Sequence, residues 1–253
     1  MSIVVTVSNR KGGVGKTTTT VTLGHGLALK GKSVLLVDVD PQGHVAPALG
    51  LEQEPGLFDL LVARASLRNV TRQSRPGLWI VPGNPRTATA QTVLLSEGAD
   101  CDALAKVIHG RASSGPDYVI LDTAPSVGRL QEMALWMADL VVIPSAVDFL
   151  SSAGIADLVE GLRSLRGMGW KGAILGVLPT FYDEVTRESQ ANLDELKETF
   201  QDLVIPPIHR ATVLRECTAE GKTVFELAPK SRAAKEYAAL VWSVLDASQK
   251  SSR

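Results

Sequence analysis

The feature that most constrains this chain is a glycine-rich run near its start, Arg10-Lys11-Gly12-Gly13-Val14-Gly15-Lys16-Thr17-Thr18. The apolar, β-branched residues 3–8 predict a strand before it, and the pattern of residues 16–30 predicts a helix after it. A loop between a strand and a helix aims backbone N–H groups and the positive end of a helix dipole at one point, which suits a polyphosphate. We therefore predict that Lys16 reaches the β- and γ-phosphates of a nucleotide and that Thr17 offers its hydroxyl to Mg²⁺.

Along the rest of the chain, short β-branched runs alternate with longer helical patterns, which is typical of βαβ units. We predict an α/β fold of the P-loop type, a mostly parallel twisted sheet with helices on both faces, in a single domain over residues 1–253. The irregular segment 52–92 is expected to form an insertion on the rim of the sheet. The predicted strands are residues 3–8, 33–39, 78–82, 118–122, 140–144, 173–179 and a short one near 203–205. The predicted helices lie near residues 16–30, 103–112, 130–138, 152–168, 188–200 and 231–247.

The composition narrows the class of protein and its compartment. The formal net charge is −1, so any contact with nucleic acid must come from a local patch rather than from the overall field. Cys101 and Cys217 lie far apart without ligand-spaced partners, which argues against a disulfide framework or a metal site and for a reducing cytoplasm. No basic leader precedes the first strand and no apolar stretch approaches ~20 residues, so we expect neither secretion nor a membrane span.

Two further runs place carboxylates where the ends of strands are expected to meet the loop. Asp38 and Asp40 close the second predicted strand, and Asp122 closes the strand predicted over residues 118–122. In open parallel sheets, ligands sit at the carboxyl ends of the strands. An acid at that edge can order the attacking water or hold a metal-bound water near the γ-phosphate.

The loop departs from the common pattern G-x-x-x-x-G-K-[ST], because Arg10 stands at the first glycine and a second lysine, Lys11, follows it. The run Lys11-Gly12-Gly13-Val14-Gly15-Lys16-Thr17 resembles the deviant Walker A loop of the ParA/MinD ATPases. The resemblance implies that the protein uses ATP and Mg²⁺ and forms a homodimer with ATP, in which Lys11 touches the phosphates bound by the other subunit. It covers nearly the whole chain, and the C-terminal part is similar to the short, Soj-like partition ATPases.

The resemblance also implies roles for individual residues. The run around Asp38 and Asp40 is similar to the Walker A′ motif, which implies that Asp40 is needed for hydrolysis and that Asp38 is a supporting ligand. Asp122 ends a strand that resembles Walker B and would hold Mg²⁺ through a water. The implied catalytic residues are Lys11, Lys16 and Asp40, and the implied metal ligands are Thr17, Asp40 and Asp122. The implied nucleotide contacts are Lys11, Gly12, Gly13, Val14, Gly15, Lys16, Thr17 and Thr18 at the phosphates, and Pro206, Pro207 and Ile208 at the adenine.

Members of this family use ATP to switch dimerisation and then binding to a surface, which is either nonspecific DNA or a membrane. Residues 205–235 hold six Lys or Arg against three acids, a local charge of about +3 that could contact DNA phosphates without sequence preference. A second basic run repeats at near-helical spacing and consists of Arg64, Arg68, Arg72 and Arg75. The expected DNA contacts are Arg187, Arg210, Arg215, Lys230 and Arg232.

The resemblance thus implies a cytoplasmic, nucleoid-associated ATPase that partitions or positions DNA or other cargo. Its hydrolysis is expected to be weak alone and stimulated by a ParB-like partner with a positively charged N-terminal segment. Longer relatives carry a helix-turn-helix domain before the loop, and we expect no operator binding of that type here.

Two other functions stay open on the same fold. A MinD-like ATPase would bind a membrane through a C-terminal amphipathic helix, but the last predicted helix is rich in alanine and its tail adds two positive charges, so no stable anchoring is expected. An ATP-dependent metabolic enzyme would share the loop but gives no reason for Lys11 to cross a dimer. A nitrogenase-like reductase would need paired cysteines for a cluster, which the chain lacks. Two departures from the family, His44 and Thr180, leave the base selectivity and the switch behaviour open.

Overall fold

A seven-stranded sheet forms the centre of the protein in the computed structural model, which describes residues 2–109, 115–147 and 151–251. The strands are β1 (Ile3–Val7), β2 (Val34–Asp38), β3 (Arg72–Arg75), β4 (Leu78–Val81), β5 (Tyr118–Asp122), β6 (Leu140–Ala146) and β7 (Ala173–Thr180). Their order across the sheet is β3-β4-β2-β5-β1-β6-β7. All neighbouring pairs are parallel except β3 and β4, which pair antiparallel at one edge. The predicted mostly parallel sheet is confirmed.

Helices cover both faces of this sheet. The described helices are α1 (Lys16–Leu29), α2 (Val45–Ala48), α3 (Leu57–Leu61), α4 (Leu67–Val70), α5 (Arg86–Ser96), α6 (Ala103–His109), α7 (Arg129–Trp136), α8 (Ser151–Gly167), α9 (Arg187–Phe200), α10 (Val213–Ala219), α11 (Val224–Leu227) and α12 (Arg232–Ser251), with a 3₁₀ turn at Gln201–Leu203. Neighbouring strand residues point to opposite faces, so Val5 packs with α1 and α12 while Val4 packs with α3, α6 and α7. Burial on both faces explains why these strands are apolar throughout.

The helices predicted from periodicity are confirmed with their ends shifted by a few residues. The helix expected over residues 103–112 is described as far as His109, and residues 110–112 lie outside the described part of the chain. The last helix begins at Arg232 and reaches Ser251. None of the helices in the described ranges combines the length and the apolar character needed to cross a membrane.

The segment 52–92 departs from the prediction that it forms an insertion on the rim. Its strand β4 lies inside the sheet, parallel to β2, and only β3 occupies the rim. Arg72 and Arg75 lie on β3 whereas Arg68 lies in α4, so the expected helical repeat of arginines is wrong. The physical reason is the turn at Pro76-Gly77, where Gly77 has φ of 75° and reverses the chain after Arg75.

The short strand expected near residues 203–205 is also not formed as predicted. Residues 201–203 make a 3₁₀ turn that begins with a left-handed Gln201, φ 48°. Val204 then makes an isolated parallel bridge to Val177 of β7. This isolated bridge places the segment beside the edge of β7 without adding a strand to the sheet.

Candidate functional site

The glycine-rich loop joins β1 to α1 at the carboxyl edge of the sheet. Gly13 and Gly15 have φ values of 72° and 84°, a left-handed backbone that side chains rarely adopt. Gly15 is the N-cap of α1, so the positive end of this helix and its first backbone N–H groups point toward the loop. The loop therefore has the shape and polarity that bind a phosphate group.

A buried asparagine that the sequence analysis missed fixes the start of the loop. The Nδ2 of Asn9 donates to the Pro144 carbonyl at 2.8 Å, and its Oδ1 accepts from the Lys11 backbone N–H at 2.9 Å. Asn9 is fully buried and lies two residues after the end of the apolar strand β1, and a polar residue at that place in the sequence is the signal that could have identified it. Because it connects β6 to the loop, it sets the position of the Lys11 backbone.

Lys16 lies under the loop with only 7% of its surface exposed. Its Nζ donates to the Lys11 carbonyl at 3.0 Å. Burial lowers the pKa of Lys16, and the nearby Asp122 and Asp40 carboxylates raise it in opposition. The ammonium group is thus held at the loop by one carbonyl and by the field of two acids.

Asp122 meets the loop at the end of β5, as predicted. Its Oδ2 accepts from the Thr17 hydroxyl at 2.7 Å and its Oδ1 accepts from the Thr20 hydroxyl at 2.9 Å. Burial raises the pKa of Asp122 to about 6, against the two threonine hydrogen bonds and Lys16, which lower it. Thr20 was not predicted, although it lies one helical turn after Thr17 and so on the same face of α1.

Asp38 stands opposite Asp122 in the register of β2 and β5 and is completely buried. Its Oδ1 accepts from the Asp40 backbone N–H at 3.0 Å and its Oδ2 accepts from the Val45 N–H at 3.1 Å. Burial, reinforced by the charge of Asp122, raises the pKa of Asp38 well above its usual range, against these two hydrogen bonds. Both oxygens therefore shape the turn after β2 that carries Asp40.

Asp40 lies half-buried in that turn, with its Oδ1 accepting from the Gln42 N–H at 2.9 Å. The turn is pressed against the end of β4. A Cβ at Gly83 would lie 2.6 Å from the Asp40 carbonyl oxygen and 2.8 Å from the Asp38 carbonyl oxygen. Gly83, which the sequence analysis missed, therefore allows β4 and the acidic turn to come together.

A cleft of about 450 Å³ opens beside the loop. Its lining consists of Gly15, Thr18, Thr180, Phe181, Ile208, Arg210, Ala211, Thr212, Leu214, Arg215, Thr218 and Tyr237. Of the three residues expected at the adenine, Ile208 lines this cleft, whereas Pro206 and Pro207 are not in its lining. The hydroxyl of Thr180 donates to the Val14 carbonyl at 2.9 Å, so this departure from the family pattern supports the loop.

The donors at the loop suit a hard cation that keeps water ligands. In the described ranges, no group of three or more His, Cys, Asp or Glu side chains could hold a metal ion by itself. The Thr17 hydroxyl and the Asp122 carboxylate do lie together, 2.7 Å apart. Mg²⁺ is usually held by one or two such oxygens together with substrate phosphates and water, so the residues present fit this ion.

Comparison with known proteins agrees with this geometry. A family model described as an AAA domain matches residues 2–169, more than half of the chain. The sporulation initiation inhibitor protein Soj of Bacillus subtilis is 34% identical over 243 residues, which cover 94% of this chain and 96% of that protein. The chain belongs to the ParA/Soj family of P-loop ATPases.

Two further proteins are similar to this chain. The chromosome-partitioning ATPase Soj of Thermus thermophilus is 36% identical, over 95% of this chain and 94% of that protein. A solved structure of cobyrinic acid a,c-diamide synthase from Mycobacterium smegmatis, with a bound ATP analogue and magnesium, has a TM-score of 0.85 and 28% identity. It covers 100% of this chain and 98% of that chain.

The basic residues expected to contact DNA differ in their surroundings in this ParA/Soj ATPase. Arg187, at the start of α9, and Lys230, before α12, are exposed. Arg210 and Arg215 line the cleft. Arg232 is held by two acids, with its Nη1 2.9 Å from Glu184 Oε1 and its Nε 2.9 Å from Glu236 Oε1.

Arg72 and Arg75 are likewise engaged inside the molecule. Arg72 Nη1 donates to the Glu52 carbonyl at 2.6 Å. Arg75 donates to the Leu49 and Gly221 carbonyls at 2.8 and 2.6 Å. These two arginines of β3 therefore hold loops of the fold together.

Proposed function

We propose that this ParA/Soj protein binds ATP and Mg²⁺ at the loop between β1 and α1 and hydrolyses ATP slowly, in a single domain over residues 1–253. The observation that supports this most directly is the convergence of three predicted side chains on one edge. Lys16 Nζ lies 3.0 Å from the Lys11 carbonyl, and the Thr17 hydroxyl lies 2.7 Å from Asp122. The M. smegmatis structure with an ATP analogue and magnesium, 28% identical to this chain, supports the same ligands.

Each residue at this edge has a chemical task in the proposal. Lys16 and the backbone N–H groups of the loop would hold the phosphates. Thr17 and Asp122 would hold Mg²⁺, the latter through a water, and this ion would supply positive charge beside the phosphate oxygens. Asp40 would accept a hydrogen bond from the attacking water and so orient it, while Asp38 keeps the backbone of Asp40 in place.

We further propose that ATP closes a homodimer and that Lys11 contacts the phosphates held by the partner subunit. Lys11 is half-buried, its backbone N–H donates to Asn9 Oδ1, and its carbonyl accepts from Lys16 Nζ. The backbone around Lys11 is thus fixed from both sides before any partner arrives. Such preorganisation reduces the entropy lost on dimerisation.

The adenine would occupy the cleft beside Gly15 and Thr18. Phe181, Ile208 and Leu214 offer an apolar surface of the kind that binds a purine. Pro206 and Pro207 would then shape the approach to Ile208 without touching the base. The predicted segment 206–208 would thus remain at the site, with Ile208 making the direct contact to the adenine.

The dimer would bind nonspecific DNA, associate with the nucleoid, and release the DNA when a ParB-like partner stimulates hydrolysis. This would partition or position DNA or another cargo. The name of the T. thermophilus relative, a chromosome-partitioning ATPase, supports this choice. Among the predicted contacts, exposed Arg187 and Lys230 are the better candidates, because Arg232 is already neutralised by Glu184 and Glu236. Arg210 and Arg215 line the nucleotide cleft, so their first role would be there and not at the DNA.

Binding to random-sequence duplex DNA, with ADP and with ATP and across a salt series, tests this function. We expect ATP alone to promote salt-sensitive binding and Asp40→Ala to make it persistent, since the trapped nucleotide keeps the dimer closed. Removing the charge of Arg187 or Lys230 should weaken binding and reduce the salt slope by about one per phosphate contact. Arg163→Ala, an exposed arginine on α8, is the matched control. Failure of both nucleotide states to bind DNA would contradict the proposal.

A metabolic ATP-dependent enzyme is the second candidate, and the M. smegmatis synthase favours it. Such an enzyme would turn over a small substrate without DNA or a partner protein. The partition hypothesis predicts that the protein by itself hydrolyses ATP slowly and that the rate rises only when DNA and a partner protein are both present. One hydrolysis assay with and without these additions separates the two.

A further inference from the structure

Helix α8 approaches the nucleotide loop on a face that carries two glycines, Gly154 and Gly161, seven residues apart. A Cβ at Gly154 would lie 3.3 Å from the Asn9 Oδ1, and a Cβ at Gly161 would lie 3.4 Å from the Arg10 Nη2. Residues seven apart lie on the same side of a helix. The glycines therefore let one face of α8 lie directly against the first residues of the loop.

Between these glycines stands Asp157, on the same face of α8. Its Oδ2 lies 3.6 Å from the Arg10 Nη1, and the two side chains are 66% and 32% exposed. The Nε of Arg10 is buried and makes no hydrogen bond within the described ranges. The guanidinium is thus held to α8 by charge and by packing against Gly161.

Arg10 is bonded directly to the lysine that marks this loop. The Lys11 carbonyl accepts from Lys16 Nζ at 3.0 Å, and the Lys11 N–H donates to Asn9 at 2.9 Å. A continuous path of contacts therefore runs from Asp157 through Arg10 and the Lys11 backbone to Lys16. Any shift of α8 relative to the loop would move Lys11.

We propose that the Arg10–Asp157 pair holds the loop against α8 and positions Lys11 for its contact across the ATP-dependent dimer. The inference rests on the proposed function, because it concerns the dimer in which Lys11 acts. Arg10 and Asp157 are positioning residues in this scheme and touch no phosphate. Ion pairs as exposed as this one add little to the stability of the fold, so its effect should appear in dimerisation and not in unfolding.

The test compares Arg10→Gln, Asp157→Asn and the double variant by sedimentation velocity with ATP, in an Asp40→Ala background that keeps the nucleotide intact. Each single change should weaken the dimer by roughly three- to tenfold, and the double variant should be no weaker than the singles, because they remove one interaction. Arg10→Lys and Asp157→Glu, which keep the charges, should recover most of the dimer affinity. Arg163→Gln removes an exposed ion pair with Glu160 on the same helix and should change nothing.

Two further readouts separate positioning from a structural role. Asp157→Asn should leave the affinity for a fluorescent ADP analogue within about twofold and leave the urea midpoint unchanged, since neither depends on the dimer. Losses that add in the double variant, an unchanged dimer in both single variants, or an equal fall in ADP affinity would overturn the inference. If the Asp40→Ala protein itself fails to dimerise with ATP, the proposed function falls and this inference falls with it. If Arg10→Gln leaves the dimer affinity unchanged, this inference is wrong, but the proposed function is not affected.

Discussion

At the scale of single residues, Gly83 shows how tightly the acidic turn is packed. A Cβ there would lie 2.6 Å from the Asp40 carbonyl oxygen and 2.9 Å from the Asp38 carboxyl carbon. We expect Gly83→Ala to displace Asp40 and to lower ATP hydrolysis by roughly tenfold or more, because small misplacements of a reacting group are costly. Nucleotide binding should persist, since Lys16 and its loop are untouched. Steady-state hydrolysis and titration with a fluorescent ADP analogue measure the two effects.

Gly167 supplies the matched control for this substitution. A Cβ at Gly167 would meet nothing within 4 Å, and the residue ends α8 far along the chain from the acidic turn. Gly167→Ala should therefore leave both hydrolysis and binding unchanged. Equal losses of hydrolysis and of ADP affinity in Gly83→Ala would contradict the assigned role, because they would indicate general damage to the site.

The residues of the site that could be predicted from the sequence are those within short motifs. Lys16, Thr17 and Asp122 each lie in a run whose neighbours indicate a strand end or a helix start, and the structure brings them together as expected. Asn9 and Gly83 were not predicted, because their importance depends on contacts that form only when the chain folds. The partner of Asn9 is a carbonyl 135 residues later in the chain.

At the scale of elements, Arg75 ties the edge strand β3 to two distant segments. It donates to the Leu49 and Gly221 carbonyls at 2.8 and 2.6 Å and pairs with Glu226 at 3.1 Å. Arg75→Ala removes the donor from two partly buried carbonyls and breaks the ion pair with Glu226, so we expect the free energy of unfolding to fall by about 2–3 kcal/mol. Urea unfolding measures this, with exposed Arg68→Ala as the control, expected to stay within about 0.5 kcal/mol. A loss no larger than that of the control would show that these contacts are dispensable.

The packing of α1 against α11 should make stability depend on pH through His25. Its Nδ1 lies 2.6 Å from the Thr223 hydroxyl. Burial lowers the pKa of His25 below its usual 6.5, the charge of Glu226 opposes this shift, and the charge of Arg75 adds to it. The unfolded chain therefore binds a proton more readily than the folded one. The contribution of His25 is present above about pH 6.5 and is lost as the pH falls.

Urea unfolding at about pH 7.5 and about pH 5.5 measures this dependence. Asp38 and Asp122, whose pKa values are raised, act alike in both proteins. Relative to His25→Gln, which does not titrate, we expect the wild-type protein to lose stability as the pH falls over this interval. The comparison is between the pH slopes of the two proteins, so a constant cost of the substitution does not affect it. An identical slope in both would show that His25 does not drive the change.

The elements that could be predicted were those with a strong apolar pattern. Buried strands such as β2 and β5 are apolar on both faces and were located within a residue of their ends. The polar β3, Arg72–Arg75, gave no such signal, because it pairs at the rim with its side chains partly exposed. Its position follows from the turn after it and from the contacts of Arg75, which local periodicity does not show.

At the scale of the whole molecule, the proposed switch is a dimer that ATP closes and hydrolysis opens. The net charge of −1 produces little long-range repulsion between two copies, so their association is decided by the contacts at the loop. Lys11 is the residue on which this depends. An ATP molecule that binds each subunit equally well alone and in the dimer could not drive the switch.

The most direct test is sedimentation velocity of the Asp40→Ala protein with ADP and with ATP. The same measurement is made on the double variant that also carries Lys11→Ala. We expect a monomer with ADP and a dimer with ATP. We also expect that adding Lys11→Ala returns the ATP form to the monomer, a loss of at least about thirtyfold in dimer affinity, while ATP still binds. A dimer that forms equally well without the Lys11 side chain, or no dimer with ATP at all, would contradict the proposed switch.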